Sequence, residues 1–378
     1  MNLVISEYSS GFSDYSYILC NELAKDKEIN NITYLTDTNN FYLNNINPKV
    51  MSIKLYKSFV ADAQHKKGGI RWLMNRIFIT FHNCVKRNSF LLKRKPDAVL
   101  IQATLAVFDC HFLKQLKKRM KVFLVVHDVI VPTDSLSWSM RSLKKMYNNA
   151  DVLIVHSNTN KNQLIDIFKI EESKIQVIPH GVKDSYPKRD KQACKNQLNI
   201  TDDDPVLLFY GGIRKSKGLD VLIKALKEIK CNLIIAGATL YGESFDNYKK
   251  LIQENDIKTI EFIEFTDDSF RDVLFQASDY LVLPYKEFYS QSGVFMQAIQ
   301  YHLPIIATDV SSFKEFIAKY EIGFVAKPNN VNDLHKVIKE AFEQKNDYET
   351  RMLKAVSENC WEMAGRMYAN ILKAERRS

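Results

Sequence analysis

The amino-acid sequence predicts an α/β protein built from two doubly wound parallel sheets. Three observations predict it: the length, the texture of the apolar segments, and one polar linker near the middle. At 378 residues the chain exceeds what one hydrophobic core usually organises, so two domains are expected. Short apolar runs alternate with helical patterns through both halves. The runs are continuous Val, Ile and Leu stretches, not period-two alternations, which describes strands covered on both faces. Alternation of such strands with helices means βαβ units and parallel sheets.

In the first half the strand-like runs are Leu3–Ser6, Ile32–Leu35, Met51–Leu55, Asp97–Ile101, Val122–Val126, Val152–Val155 and Ile175–Ile178. In the second half they are Val206–Tyr210, Asn232–Ala236, Thr259–Ile263, Tyr280–Leu283, Ile305–Ala307 and Phe324–Ala326. One helix is clear: Leu219, Leu222, Ile223, Leu226 and Ile229 form an apolar stripe at helical spacing. The polar stretch Ser185–Pro205, with Pro187 and Asp202-Asp203-Asp204, marks the boundary. The expected domains are therefore residues 1–185 and 190–359, each Rossmann-like. Two such sheets on one linker are expected to face across a cleft, with ligands outside the carboxyl ends of the strands.

Composition excludes several classes. Apolar residues make up 46% and charged residues 26%, as in ordinary soluble globular proteins. The six cysteines are scattered, with no C-x-x-C pair and no tight spacing to His. Neither a zinc site nor a disulfide framework is expected, only buried thiols in a reducing compartment. The opening MNLVISE reads as a buried strand and not as a signal peptide. No run of 18 apolar residues exists, so no membrane span is expected. The expected location is the cytoplasm.

Charge is spread unevenly. Residues 1–189 hold 28 Lys and Arg against 16 Asp and Glu, a net +12, whereas residues 190–378 hold 25 against 28, a net −3. The excess peaks from Lys49 to Lys95, where twelve basic residues face one acid, Asp62.

Four segments carry candidate chemistry. In Leu207–Asp220 a buried strand ends in Gly211-Gly212, and a basic loop with Arg214 and Lys217 then enters a helix at Gly218. Paired glycines let backbone approach a ligand closely. Arg offers a planar fork for phosphate and Lys a compact charge. In Tyr280–Val294 a second buried strand ends, and the loop through Gln291, Ser292 and Gly293 precedes an apolar helix. Ser292 suits an N-cap, and free amides at a helix N-terminus form an anion site. His127-Asp128 directly follows the strand ending at Val126, where a histidine serves either a ligand or a structural hydrogen bond. Ser9–Asp14, with Gly11 and Phe12, is a glycine loop opening a helix.

Other motifs are missing. No G-x-G-x-x-G follows a strand and no G-x-x-x-x-G-K-[ST] occurs, which argues against dinucleotide and P-loop enzymes. Asp202-Asp203-Asp204 precedes a strand instead of ending one and reads as solvated linker, not as a metal site. No Ser/His/Asp set has a nucleophile-elbow context.

Taken together these segments resemble the retaining GT-B glycosyltransferases of family four, the group 1 type. The resemblance covers nearly the whole chain. It rests on Lys174–Val182, Phe209–Ala225, Leu283–Glu315, Glu321–Val325 and Trp361–Ala364 in that order. It implies a nucleotide-diphosphate sugar donor, UDP- or GDP-linked, no metal or other cofactor, and a saccharide or lipid-linked saccharide acceptor. Arg214 and Lys217 would grip the diphosphate and stabilise the leaving nucleoside diphosphate. Amides around Ser292 and Gly293, beside Gln291, would hold the distal phosphate. Gly11 and Phe12 would close over the donor, and His127 would contact the transferred sugar. Residues 361–376 would form a helix that crosses back onto the first domain. The family's paired glutamates map to Tyr289 and Gln297, neither of which is Glu here. Gln297 can still hydrogen-bond ribose hydroxyls, while Tyr289 puts donor positioning in question, with Glu287 nearby as the alternative acid.

The expected function is transfer of a hexose with retention of configuration, in bacterial cell-surface polysaccharide synthesis. Two other readings use similar parts: a sugar-nucleotide epimerase, and a non-catalytic nucleotide-sugar-binding partner. The basic region 49–95 adds a further expectation. Around Arg71–Phe81 it mixes cations with aromatics at roughly helical spacing. That pattern suits either an anionic membrane surface, placing the protein on the inner face of the plasma membrane, or a core helix with a solvated rim. No recognised nucleic-acid module accompanies the charge, so nucleic acid is not an expected partner.

Overall fold

The computed structural model describes residues 1–8, 13–40, 43, 46–58, 70–102, 104, 106–130, 140–240, 242–289, 291–344 and 347–377. The chain divides into two compact units, Met1–Gly181 with Trp361–Ser378, and Val182–Cys360. The boundary expected at 185–190 falls inside the second unit. Val182 already belongs there: its N–H donates to Asn359 O (2.8 Å) and it bridges to Cys360.

The first unit runs β1 (Asn2–Ser6), α1 (Ser13–Leu23), β2 (Asn31–Asp37), β3 (Val50–Tyr56), α2 (Ile70–Arg94), β4 (Ala98–Ile101), α3 (Ala106–Lys117), β5 (Lys121–Val125), α4 (Met140–Asn148), β6 (Val152–Val155), α5 (Asn158–Phe168) and β7 (Ile175–Val177). The second runs α6 (Lys191–Gln197), β8 (Val206–Tyr210), α7 (Leu219–Ala225), β9 (Asn232–Ala236), α8 (Asp246–Glu254), β10 (Thr259–Phe262), α9 (Asp268–Ala277), β11 (Tyr280–Leu283), α10 (Gly293–Gln300), β12 (Ile305–Thr308), α11 (Phe313–Tyr320), β13 (Gly323–Ala326), α12 (Val331–Glu343) and α13 (Tyr348–Asn359). A last helix, α14 (Trp361–Arg377), returns to the first unit.

Both sheets are parallel throughout the described residues. Their strand orders are β3-β2-β1-β4-β5-β6-β7 and β10-β9-β8-β11-β12-β13. The central strands bury every residue or nearly so, as in Val99–Ile101, Val122–Val125, Leu207–Phe209 and Leu281–Leu283. This is the physical content of the continuous apolar runs: each sheet has a core on both faces. The sheets are thus doubly wound α/β layers, the architecture expected from the sequence.

The order reverses between β1 and β4 in the first sheet and between β8 and β11 in the second. Such switch points, at the carboxyl ends, are where doubly wound sheets bind ligands. In the second unit, the two loops singled out in the sequence leave those two strands.

One helix is shorter than its apolar spacing suggests. The stripe through Leu226 and Ile229 continues, but α7 stops at Ala225, and Glu228 takes a left-handed φ of 66°. Leu226 is still buried and Ile229 still packs on the core, so burial outlasts the helix.

Candidate functional site

The β8 loop is shaped by close backbone approach. Gly211 has φ +104°, and a Cβ there would lie 3.2 Å from Val294 Cγ2 in the first turn of α10. Gly218 has φ +70°, and a Cβ there would meet Pro284 O at 1.9 Å. Only glycine fits at Gly218. Between them Lys215–Lys217 make one 3-10 turn, and Gly218 turns the chain into α7. The two loops are then tied together. Lys286 N–H donates to Ser216 O (2.9 Å) and Lys286 Nζ pairs with Asp220 (2.8 Å). The structure therefore brings Gly211, Gly212, Arg214 and Lys217 beside Ser292 and Gly293.

Ser292 caps α10, its Oγ accepting from Phe295 N–H (3.3 Å). The first amides of a helix have no partner within it. Among the described residues nothing lies within 4 Å of where a Cβ at Gly293 would stand, so the first residue of α10 borders open space on that side. Gln291 Oε1 accepts from the Ser312 hydroxyl (2.7 Å), which fixes the approach to the cap. One turn further, Gln297 Oε1 is buried with no hydrogen-bond partner among the described residues. Such an acceptor costs about 1–3 kcal/mol unless something donates to it. Tyr289 is half-buried and Glu287 is exposed.

Lys217 is the electrostatic centre of the site. Its Nζ lies 3.5 Å from the Tyr285 ring centroid and 4.2 Å from that of Phe288. Loss of hydration, with Arg214 adding repulsion, pulls its pKa down to about 6. A bound anion would oppose both influences by favouring the charged form. The acids Asp202 and Asp204 stand elsewhere, at the amino end of β8. They pair with Lys258 and Lys230, which makes them anchored linker.

In the first unit, His127 follows β5, His156 follows β6 and His180 follows β7, so three consecutive strands each end near a histidine. The His156 Nδ1–H donates to Ile178 O (2.9 Å), and His156 Nε2 faces His127 Nδ1 (3.2 Å). Burial lowers the pKa of all three rings, to about 4 for His156 and about 3 for His180, and well below the ordinary range for His127. The rings are neutral, so His127 Nδ1–H is the donor to His156 and His127 Nε2 is an acceptor. The structure sets Gln102 Oε1 3.1 Å from that nitrogen and leaves the amide NH2 without a partner among the described residues; exchanging the amide's O and N pairs them. Tyr15 closes the cluster, its ring 5.1 Å from His127, 4.9 Å from His180 and 4.8 Å from Trp361. Gly11 and Phe12 lie outside the described residues.

Sequence reasoning missed Tyr285, Phe288, His156 and His180. The histidines left a signal, since each follows a predicted strand as His127 does. The two aromatics left none, because loop contacts have no periodicity.

Comparisons with known proteins agree on one family. Residues 190–358 match the model of glycosyl transferases group 1, and residues 55–186 match that of glycosyltransferase family 4. A D-inositol 3-phosphate glycosyltransferase of Corynebacterium aurimucosum is 26% identical over 50% of this chain and 48% of its own length. An uncharacterized glycosyltransferase of Methanocaldococcus jannaschii is 24% identical over 50% of each chain. The match thus spans about half the length of these curated relatives. Among solved structures, a glycosyltransferase from Rickettsia africae superposes with a TM-score of 0.74 at 19% identity, covering 99% of this chain and 98% of that one. Anabaena HepE in complex with UDP superposes with a TM-score of 0.75 at 16% identity, covering 99% and 100%. With two parallel α/β sheets of the GT-B kind and both family models in sequence, the chain belongs to the group 1, family-4-like glycosyltransferases.

Proposed function

We propose that this protein transfers a hexose from a nucleotide-diphosphate sugar to a saccharide or lipid-linked saccharide, with retention of configuration. The observation that carries the reading is the convergence at the second switch point: Gly211 packs against the first turn of α10 while Arg214 and Lys217 stand on the same loop. Free amides and two cations suit a diphosphate leaving group. Gln297 Oε1, buried and unpaired, suits a ribose hydroxyl. Support for the donor class comes from HepE, whose solved complexes contain UDP, UDP and glucose, and UDP-glucose. Support for a cell-surface role comes from a Klebsiella pneumoniae protein of a cps region, 24% identical over 70% of this chain and 72% of its own.

The chemistry in this reading is the one the resemblance to the retaining family implies. The acceptor hydroxyl attacks from the face of the departing phosphate, and the phosphate oxygen takes its proton. The chain's task is to stabilise an oxocarbenium-like state and the leaving diphosphate, which fixed amides, Arg214 and Lys217 do without a metal. His127 is neutral and has both ring nitrogens engaged within its cluster, so its part in this reading is to shape the wall beside the sugar and not to transfer a proton. A thermal-shift panel of UDP, GDP, ADP and their sugars tests the reading. The right nucleotide at 100 times its Kd adds about 2.7 kcal/mol of stability, and no shift with any of them rejects it. Product anomer analysis decides retention, and turnover with chelator present decides metal independence.

The reading includes a seat on an anionic membrane at the cytoplasmic face. No helix among the described residues is long and apolar enough to cross a membrane. The support is α2, which carries no acid and leaves Met74, Phe78, Phe81, Val85 and Leu92 exposed. At 3.6 residues per turn these project within about 60° of one another. Arg71, Lys86 and Lys93 stand beside them, also exposed. Apolar stripes with flanking cations suit an anionic lipid surface. Vesicle sedimentation checks it: equal partitioning onto phosphatidylcholine and phosphatidylglycerol vesicles rejects this part alone.

A further inference from the structure

Lys217 is held in an uncommon way for a phosphate-gripping lysine. No hydrogen bond or ion pair anchors it among the described residues; its ammonium instead lies over two ring faces, Tyr285 at 3.5 Å and Phe288 at 4.2 Å. The rings are themselves fixed. Tyr285 is fully buried. Tyr285 and Phe288 meet edge to face at 5.1 Å, and both pack on Phe313. Phe313 stacks on Phe295 of α10 at 4.9 Å. An aromatic stack therefore runs from Lys217 to the helix whose N-terminus faces the open site.

We propose that Tyr285 and Phe288 are positioning residues, an aromatic clamp that holds Lys217 in place for the donor diphosphate before the donor arrives. This rests on the diphosphate reading of the site. A lysine side chain carries about 2 kcal/mol of rotamer entropy, and a carboxylate partner would have to be broken when phosphate binds. Ring faces hold the Lys217 side chain without competing for its N–H donors, so the diphosphate meets an amine already in place, ready to take up a proton, with no ion pair to disrupt. The groups facing Lys217 leave its charge unbalanced. Arg214 on the same loop repels it, Lys286 and Asp220 neutralise each other at 2.8 Å, and Glu287 points to solvent exposure.

The consequence is proton linkage. In the ligand-free protein desolvation, with Arg214 beside it, lowers the pKa of the half-buried amine to about 6; beside a diphosphate it keeps its proton. Donor binding above pH 6 therefore draws one proton from solvent onto Lys217 Nζ. A nucleotide-sugar diphosphate does not titrate near neutrality, so affinity falls as pH rises, by up to about tenfold per unit.

The test uses the full chain with UDP-glucose and GDP-mannose as probes, and carbon-labelled dimethyl-lysine NMR to titrate Lys217 without donor. Expected are a Lys217 transition near neutral or acid pH, proton uptake by calorimetry in two buffers, and weaker donor binding at higher pH. Phe288→Leu should weaken binding about five- to tenfold and move the Lys217 transition upward as water enters. Phe288→Tyr should restore both. Overturning results are a wild-type Lys217 that titrates as an ordinary lysine, or a Phe288→Leu variant with unchanged Kd and pH profile. If neither probe binds the wild type, the diphosphate reading fails, and the NMR titration still decides the clamp by itself.

Discussion

At the carboxyl end of the second unit's sheet, two cations and the free amides of a helix converge on open space. At the carboxyl end of the first unit's sheet, three neutral histidines cluster against Tyr15 and Trp361: His127 and His156 are buried and hydrogen-bonded to each other, and half-buried His180 packs on His156. The two sheets share a topology, yet one end is built to meet negative charge and the other to exclude charge. A fold that repeats itself thus supports unlike chemistry, because the strand ends, not the sheets, carry the polar groups.

The largest way to break that contrast is to remove a cation. Arg214→Ala is expected to cut kcat by about 100-fold or more, as for loss of one contact to a developing oxyanion. Steady-state kinetics with the donor found in the nucleotide panel checks it, and near-normal turnover would remove Arg214 from the site. Next comes the backbone that places the cations. Gly218→Ala puts a Cβ at φ +70° and 1.9 Å from Pro284 O. Strain of this kind costs about 3 kcal/mol, so urea unfolding should show a loss of that order, with the α7 end of the second unit exchanging amide hydrogens first.

The first unit answers to pH instead. Its buried histidines have folded pKa values below the unfolded value, to about 4 for His156 and about 3 for His180. The unfolded chain therefore binds more protons in that window. The stability contribution is fully present above about pH 6.5 and is lost as pH falls toward 4, at up to about 1.4 kcal/mol per unit for each ring. Chemical denaturation across this range reads the slope, and His156→Gln should flatten it. A variant with the wild-type slope would mean that His156 is not buried neutral. The smallest effects sharpen the second unit. Ser292→Ala should cost about 1 kcal/mol of stability through the lost cap. Gln297→Leu should leave stability unchanged or slightly higher, because its Oε1 has no partner to lose, while nucleotide affinity falls. A Gln297→Leu protein that binds nucleotide as tightly as wild type would end the ribose assignment.

Much of this was legible in the sequence, for identifiable reasons. Continuous runs such as Val122–Val126 and Leu281–Leu283 could be read as strands because burial on both faces leaves no polar alternation. The β8 loop could be read because two glycines and two cations at a strand end have few other uses. The aromatic clamp could not be read. Phe288 lies in a loop, where the meeting of side chains depends on path and not on spacing. The end of α7 was misjudged because Leu226 and Ile229 are buried whether or not the helix continues. His156 and His180 were legible in principle and overlooked, since neither carries a motif.

The return of α14 to the first unit sets an order of events during synthesis. Tyr368 of α14 hydrogen-bonds Tyr15 of α1 (2.8 Å), and Trp361 and Leu372 belong to the core under β1. That core stays open until α14 has left the ribosome. The second unit, whose own ends Val182 and Cys360 meet as neighbours, is complete before then. The half of the molecule that is made first is therefore the half that finishes folding last, and its unfilled apolar face is what a nascent-chain chaperone would meet.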